Sequence, residues 1–237
     1  MFPTKIDEIF FKKPNTVGII NSEPSLGAAL KLPPGAVDVL ELRLDGFAGT
    51  PDKLLKALPR LKAPLLITAR HPKEGALAAL TQKERAELFK RFMPHAALID
   101  LEVRSLAPLK PILEEARHGG VKIVASFHDF KSTPSPERLL QMAGKAARAG
   151  ADIFKVAATT RTAADIAKLL SLFSRAKLPL SVMGMGPFGK VSRLLFAQAG
   201  SVLNYGFLDA NTQLSGQWPA RVLRERILEC ADMSALV

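Results

Sequence analysis

The sequence predicts an α/β protein folded as a (β/α)8 TIM barrel. Short runs of β-type apolar residues alternate along the whole chain with amphipathic helical stretches. Eight such strand-and-helix units fill 237 residues, the usual size of one such barrel. No linker divides the chain, so we expect residues 1–237 to form a single domain. A doubly wound open sheet is the alternative, but no GxGxxG motif follows the first strand to support it.

The predicted strands are short apolar or β-branched runs followed by polar loops. They are TVGII (16–20), VDVLELRL (37–44), PLLITA (64–69), ALIDLEV (97–103), VKIVASF (121–127), DIFKVA (152–157), LPLSVM (178–183) and SVLNYGF (201–207). Helix starts are predicted at Thr50 and Ser135, which precede Pro51 and Pro136, and at Thr81, whose spacing to Glu84 fits a capping box. The first 15 residues precede the first strand, and we expect this segment to cover the bottom of the barrel.

Lys155 lies within the apolar run ADIFKVA (151–157), in the sixth predicted strand. A buried ammonium group is costly unless it is paired or neutral. Because burial favours the neutral amine, a lysine in this position can attack a carbonyl group and form an imine. The alternative is a lysine at a strand end whose side chain reaches solvent, and this segment alone does not decide between the two.

Active sites of such barrels lie at the carboxyl ends of the strands, so the polar residues there form one set of candidates. The fifth strand leads into His128, and histidine can accept and donate a proton near neutral pH. His128 and Lys155 belong to neighbouring strands and are expected at the same rim. Together they form a candidate catalytic pair.

Four charged residues near the second and third strands extend this rim. Alternation along the second strand places Glu41 and Arg43 on the barrel side, where they either pair with each other or bind hydroxyl or carboxylate groups. Arg70 ends the third strand, and its guanidinium could donate to substrate oxygens. Glu74 follows in the loop and could orient a base, although an exposed loop charge is the commoner case.

Two polar loops follow the last two strands. The glycine-rich turn MGMGPFGKVSR (183–193) either cradles a phosphate at the start of a helix or delivers Arg193 to a carboxylate. After the eighth strand, the loop brings Gln213, Ser215 and Gln217 over the same end of the barrel.

The composition narrows the class of protein. The chain has 33 Lys and Arg against 22 Asp and Glu, but these basic residues are scattered and only 6% of residues are aromatic. Nucleic-acid binding is therefore not expected. The chain also has no apolar run of membrane-spanning length and no signal-type start, which favours a cytoplasmic protein without a membrane partner. Its one cysteine, Cys230, is expected to be packed on the last helix.

Taken in order, the motifs resemble those of the type I 3-dehydroquinate dehydratases, the Schiff-base enzymes of the shikimate pathway. The matching segments cover nearly the whole chain. They are ELRLDG (41–46), ITARHPKEG (67–75), IDLE (99–102), SFHDFKSTP (126–134), ADIFKVA (151–157), MGMGPFGKVSR (183–193) and SGQ (215–217). Each segment alone has little specificity, but the full series in this order is specific.

The resemblance implies an enzyme that dehydrates 3-dehydroquinate to 3-dehydroshikimate by syn elimination, without a cofactor or metal. Lys155 would form the imine with the C3 ketone, and His128 would move protons at C2 and at the C1 hydroxyl. Glu74 would orient His128, and Arg193 would hold the substrate carboxylate. The ring hydroxyls would be bound by Glu41, Arg43, Arg70 and Gln217. The resemblance also suggests a homodimer.

One departure from the family pattern lies in the last loop. Members commonly read Ser-Ala-Pro-Gly-Gln there, whereas this chain reads QLSGQ (213–217). Either Ser215 or the Gln213 amide could supply the missing contact, and the sequence does not decide between them. The rival interpretation is another lysine-imine barrel enzyme, such as an aldolase that acts on a sugar phosphate. The grouping of three arginines with His128 favours a carboxylated polyol instead.

Overall fold

The computed structural model describes Ile6, residues 8–209 and residues 216–233. It contains eight parallel strands, which are Asn15–Ile20 (β1), Val39–Arg43 (β2), Leu65–Thr68 (β3), Leu98–Glu102 (β4), Lys122–Asp129 (β5), Ile153–Thr159 (β6), Leu180–Met185 (β7) and Leu203–Phe207 (β8). All eight predicted strands are confirmed, with ends that differ by at most two residues. The predicted barrel is therefore correct strand by strand.

Helices follow the strands in strict alternation. They are Glu23–Leu30 (α1), Pro51–Ala57 (α2), Gln82–Phe92 (α3), Lys110–His118 (α4), Pro136–Arg148 (α5), Ala163–Leu170 (α6), Gly189–Gln198 (α7) and Ala220–Met233 (α8). Thr81 and Glu84 form the predicted capping box of α3, and the Ser135 side chain caps α5. Thr50 precedes α2 as predicted, but its side chain forms no cap hydrogen bond. In the described part of the chain, no helix combines the length and apolar character needed to cross a membrane.

The strands pair in sequence order from β1 to β7, and β1 also pairs with β8. Hydrogen bonds connect the starts of β7 and β8. The amide of Val202 donates to the carbonyl of Leu180 over 2.8 Å, and the Ser181 hydroxyl donates to the carbonyl of Leu203 over 2.8 Å. The barrel is therefore nearly closed, and the carboxyl ends of all eight strands face one opening.

Two apolar clusters divide the core according to which way each strand residue points. Side chains such as Leu40, Leu42 and Ile67 point outward and pack in the layer between strands and helices. The inward cluster forms an apolar floor and includes Val17, Val39, Leu66, Leu98, Val124, Ile153 and Leu203. Two residues further along β2 to β6, the inward positions carry the buried polar residues Glu41, Thr68, Asp100, Ser126 and Lys155. Strand alternation thus places polar chemistry above the floor.

Of the two predictions made for the ends of the chain, one is confirmed and one is wrong. A short 3-10 helix, Glu8–Lys12, places Phe10 in the inward cluster, so this segment covers the barrel bottom as predicted. Cys230, in contrast, is exposed rather than packed. Burial along α8 ends at Ile227, and Cys230 lies in the part of the helix beyond that residue.

Candidate active site

A cavity of about 630 Å³ opens at the carboxyl ends of the strands. Eight residues that the sequence analysis predicted for the site line this cavity, and they are Glu41, Arg43, Arg70, Glu74, His128, Lys155, Arg193 and Gln217. Gln213 and Ser215 lie outside the described residues, so their placement stays a prediction. The sequence analysis did not identify the apolar side of the cavity, which includes Ile19, Leu77, Phe130, Met183 and Met185.

Lys155 is buried at the base of this cavity, with 3% of its surface exposed. Its Nζ donates to Oδ2 of Asp100 over 2.9 Å and lies 3.7 Å from Oε1 of Glu41. The same nitrogen lies 3.9 Å from the centre of the Tyr205 ring. The side chain does not reach solvent, and the interpretation of Lys155 as an exposed strand-end lysine is therefore wrong.

Asp100 is the charged partner of Lys155 that the sequence analysis missed. It lies on β4, fully buried, and accepts hydrogen bonds from the Ser126 hydroxyl over 2.6 Å and from both Nη atoms of Arg70 over 2.8 and 3.0 Å. Burial alone would raise the pKa of Asp100, but Arg70 and Lys155 outweigh burial and hold that pKa well below its ordinary value. Asp100 is therefore a carboxylate. Its position inside an apolar strand is the signal that could have identified it.

Arg70 is more fully engaged by carboxylates than the sequence analysis predicted. Besides Asp100, its Nη1 donates to Oε1 of Glu102 over 3.1 Å and to the Ser126 hydroxyl over 2.7 Å. Glu102 is held in turn by Arg85. The network leaves few Arg70 donors for a ligand, so the clearest effect of Arg70 is to hold Asp100 beside Lys155.

His128 lies above Lys155 on the neighbouring strand. In the register of β5 and β6, Ser126 pairs with Lys155 and His128 pairs with Ala157. His128 is therefore one inward position closer to the opening, a step of about 7 Å along the strand. The structure thus brings the predicted pair to adjacent levels of one cavity.

The His128 ring is held by Glu74 and Phe130. Its Nδ1 lies 3.0 Å from Oε2 of Glu74, and the same oxygen accepts the backbone N–H of His128 over 3.0 Å. The ring stacks on Phe130. Burial, followed by the charges of Arg70 and Lys155, holds the pKa of His128 well below its ordinary value, so the ring is neutral near pH 7. A carboxylate partner assigns the proton to Nδ1 and leaves Nε2 as a base.

Glu74 is a buried carboxyl group and not an exposed loop charge, with 2% of its surface exposed. Its Oε1 accepts a hydrogen bond from Nε of Arg104 over 2.7 Å. Burial raises the pKa of Glu74 to about 7, with a further rise from Glu102, while Arg70 and Arg104 oppose the change. The predicted link between Glu74 and His128 is present, and it titrates near neutral pH.

Glu41 and Arg43 do not pair with each other, although both line the cavity. Arg43 makes a two-point contact with Asp45 through Nε and Nη2 over 3.0 and 2.8 Å, and Nη2 also donates to the carbonyl of Gly75 over 2.8 Å. Glu41 accepts the Thr68 hydroxyl over 2.8 Å. Each group is thus fixed by its own partner before any ligand binds.

Arg193 is a buried cation held by backbone carbonyls. Its Nε donates to Tyr205 over 3.0 Å, and its Nη1 donates to Gly184, Gly189 and Gly216 over 3.0, 2.8 and 2.8 Å. No carboxylate in the described part of the chain forms an ion pair with it, and burial lowers the pKa of Arg193 to about 10. An uncompensated charge of this kind favours an anionic ligand.

The glycine-rich turn after β7 is shaped around Arg193. A Cβ atom on Gly189 would lie 2.3 Å from the carbonyl oxygen of Gly216, so the two backbones approach closely only because residue 189 is glycine. Both segments turn carbonyl oxygens toward the guanidinium. The turn therefore delivers Arg193, which supports the carboxylate interpretation over the phosphate cradle.

Comparison with known proteins decides the family. Residues 22–232 match the family model of the type I 3-dehydroquinase. The chain belongs to the type I 3-dehydroquinase family. The 3-dehydroquinate dehydratase of Methanocella arvoryzae is 31% identical over 196 residues, which cover 82% of this chain and 87% of that protein. That of Enterococcus faecalis is 32% identical over 202 residues and covers 79% of each chain.

Solved structures of type I 3-dehydroquinases and related dehydratases share the fold. The Geobacillus kaustophilus 3-dehydroquinate dehydratase superposes with a TM-score of 0.78 at 26% identity and covers 93% of this chain and 92% of its own. The type I enzyme of Clostridium difficile, solved with covalently modified comenic acid, gives a TM-score of 0.80 at 23% identity, with 94% of both chains covered. At that identity the second likeness supports the barrel alone.

The last loop of this 3-dehydroquinase is described from Gly216 onward. Gln217 lines the cavity, and its buried Oε1 has no hydrogen-bond partner among the described residues. A buried acceptor without a donor is unfavourable. The position is therefore suited to a hydroxyl or amine donor of a ligand.

Proposed function

We propose that Lys155 forms an imine with the C3 ketone of 3-dehydroquinate in the dehydration to 3-dehydroshikimate that this lyase catalyses. The observation that carries the proposal is the geometry around Lys155. The amine lies at the base of the cavity, 2.9 Å from Asp100, with the neutral imidazole of His128 one strand away. An imine-forming lysine and a proton-transferring histidine are the two groups that this elimination needs.

The proposed sequence of bond changes uses these two side chains. The amine of Lys155 attacks C3, and the ketone oxygen leaves as water. Nε2 of His128 removes a proton from C2, and the iminium accepts the electron pair. The pair then returns to form the C1–C2 double bond as the C1 hydroxyl leaves with the proton from His128. Water finally hydrolyses the imine, which releases the enone and restores Lys155.

We propose that the other groups bind and orient the substrate. Arg193 holds the carboxylate, because no carboxylate among the described residues forms an ion pair with it. Glu41, Arg43 and Gln217 bind ring hydroxyls, with Gln213 or Ser215 contributing from the loop. Arg70 lines the same cavity, and we assign it a part in hydroxyl binding in addition to its bonds to Asp100. Glu74 orients His128 through Nδ1.

The direct test is an assay for the product. Added 3-dehydroquinate should give a growing enone absorbance in the ultraviolet, without any added metal or cofactor. A sugar phosphate that an aldolase would cleave should give no reaction. The absence of enone formation from 3-dehydroquinate would overturn the proposal.

The Arg193 assignment predicts a loss of affinity for carboxylates. Arg193→Gln should lower kcat/KM about 10²-fold, because it removes a charge-assisted contact in a desolvated site. Arg91→Gln, a change at an exposed arginine, is the matched control and should leave kcat/KM unchanged. The product, which keeps the carboxylate, should raise the melting temperature of the wild type and of the control only. An equal rise in Arg193→Gln would contradict the assignment.

The pKa of Glu74 predicts the acid side of the pH profile. Above about pH 7 Glu74 is ionised and accepts the Nδ1 proton of His128, whereas below it the group is neutral and the imidazole loses this orientation. The pKa of His128 itself lies lower, so kcat/KM should fall as the pH drops through about 7. Glu74→Gln should remove this step, and Glu114→Gln, at an exposed site on α4, should keep it. An unchanged step in Glu74→Gln would refute the assignment.

We also propose that residues 1–237 act as one catalytic domain, in the cytoplasm, as a homodimer without a nucleic-acid partner. The family resemblance supports the dimer, and the scattered basic charge argues against nucleic-acid binding. Light scattering should give twice the chain mass of 25.6 kDa. A mass of one chain at working concentrations would dismiss the dimer.

A further inference from the structure

Tyr205 is a buried aromatic residue directly beneath the reactive amine. It lies on β8, 2% exposed, and lines the cavity. The centre of its ring lies 3.9 Å from Nζ of Lys155, which is a close cation–π distance. The ring therefore supports positive charge on this nitrogen.

The hydroxyl of Tyr205 has no hydrogen-bond partner among the residues that the structure describes. Its oxygen is buried and forms no hydrogen bond with any described residue. A phenylalanine would provide the same ring without the cost of burying an unpaired hydroxyl. Burial, together with the charges of Glu41 and Asp100, raises the pKa of Tyr205 well above its ordinary value, so the hydroxyl stays protonated and has a hydrogen to donate.

Imine formation creates a need for a donor at this level of the barrel. In the free enzyme, Nζ of Lys155 donates a hydrogen bond to Asp100 over 2.9 Å and lies 3.7 Å from Glu41. The neutral amine attacks the ketone, and, counted from the protonated lysine to the iminium, two hydrogens leave with the ketone oxygen as water. The iminium nitrogen has one hydrogen, which it can donate to only one of the two carboxylates.

We propose that Tyr205 is a positioning residue for the imine: its ring supports the Lys155 nitrogen, and its hydroxyl donates to the carboxylate that this nitrogen releases. The inference rests on the proposed function of Lys155. It gives a role to a buried hydroxyl that has no hydrogen-bond partner among the described residues and that belongs to the ring in contact with the Lys155 amine.

Tyr205→Phe tests the hydroxyl, with Thr16→Val as the matched control. Thr16 also has a buried hydroxyl to which no described residue forms a hydrogen bond, but it does not line the cavity. Both variants should melt at or above the wild-type temperature, because each removes an unpaired hydroxyl. Tyr205→Phe alone should lower kcat and the fraction of enzyme trapped by borohydride in the presence of substrate, by about tenfold for kcat and with little change in KM.

The outcomes separate the hydroxyl from the ring and from the main reaction. Tyr205→Leu should trap less imine than Tyr205→Phe, because it also removes the ring. Wild-type kcat and trapping in Tyr205→Phe would overturn the role of the hydroxyl, as would a lower melting temperature, which would reveal a structural partner. Equal trapping in the Leu and Phe variants would overturn the role of the ring. No trapping in the wild type would instead refute the imine itself.

Discussion

Lys155→Met should abolish the dehydration of 3-dehydroquinate, with a loss of kcat of about 10⁴-fold or more. Methionine keeps a similar length and an apolar stem but has no amine to attack the ketone. Without the imine, the electron pair from C2 can be accepted only by the neutral C3 ketone, which is a much weaker electron sink than an iminium. The enone assay measures the effect directly.

Folding of the Lys155→Met variant is expected to persist. Asp100 loses one partner but keeps both Nη contacts from Arg70 and the Ser126 hydroxyl, so its charge does not become unpaired. The far-ultraviolet circular dichroism spectrum should match the wild type. A folded variant with turnover within tenfold of the wild type would show that Lys155 is not the nucleophile.

His128→Ala should lower kcat by about 10²-fold to 10⁴-fold while the imine still forms. Removing the imidazole removes the proton transfers at C2 and C1, but the amine of Lys155 keeps its own partners, Asp100 and Glu41. The backbone N–H of residue 128 still donates to Glu74, so the loop carboxylate keeps an anchor. Turnover should therefore fall, whereas borohydride trapping of the imine should persist.

His118→Ala is the matched control for that experiment, because His118 is exposed on α4 and does not line the cavity. It should leave both kcat and trapping unchanged. Near-normal turnover in His128→Ala would mean that another group is the base. Loss of trapping together with turnover would mean that His128 is needed to form the imine rather than to move the C2 proton.

The barrel could be predicted because its signals are local. Each strand is a short, mostly apolar or β-branched run, and helix starts such as Thr81 and Ser135 depend on residues three positions away. The cavity residues could be predicted because strand ends of a parallel barrel meet at one opening. The same rule, together with the alternation of side chains along each strand, was enough to place Lys155 and His128 in the cavity.

Partner choice inside the cavity could not be predicted, because it depends on distances across the barrel. Arg43 pairs with Asp45 and not with Glu41, and Arg70 is engaged by Asp100 and Glu102 from the next strand. These pairings follow from side-chain length and strand register, which periodicity does not specify.

Two further features depend on tertiary packing in the same way. The contact between the Tyr205 ring and Lys155 joins β8 to β6, which lie apart in the strand order. Cys230 lies on an amphipathic helix and is of a residue type that is often buried. It is nevertheless exposed, because it lies beyond Ile227, the last residue of this helix that is described as buried. In both cases the deciding fact is which elements are neighbours in space.

Borohydride reduction in the presence of 3-dehydroquinate tests the central claim most directly. Intact-protein mass spectrometry should show one covalent adduct per chain, and peptide mapping should place it on Lys155. Lys155→Met should show none under the same conditions. The absence of an adduct in the wild type, or an adduct that maps elsewhere or persists in Lys155→Met, would contradict the account.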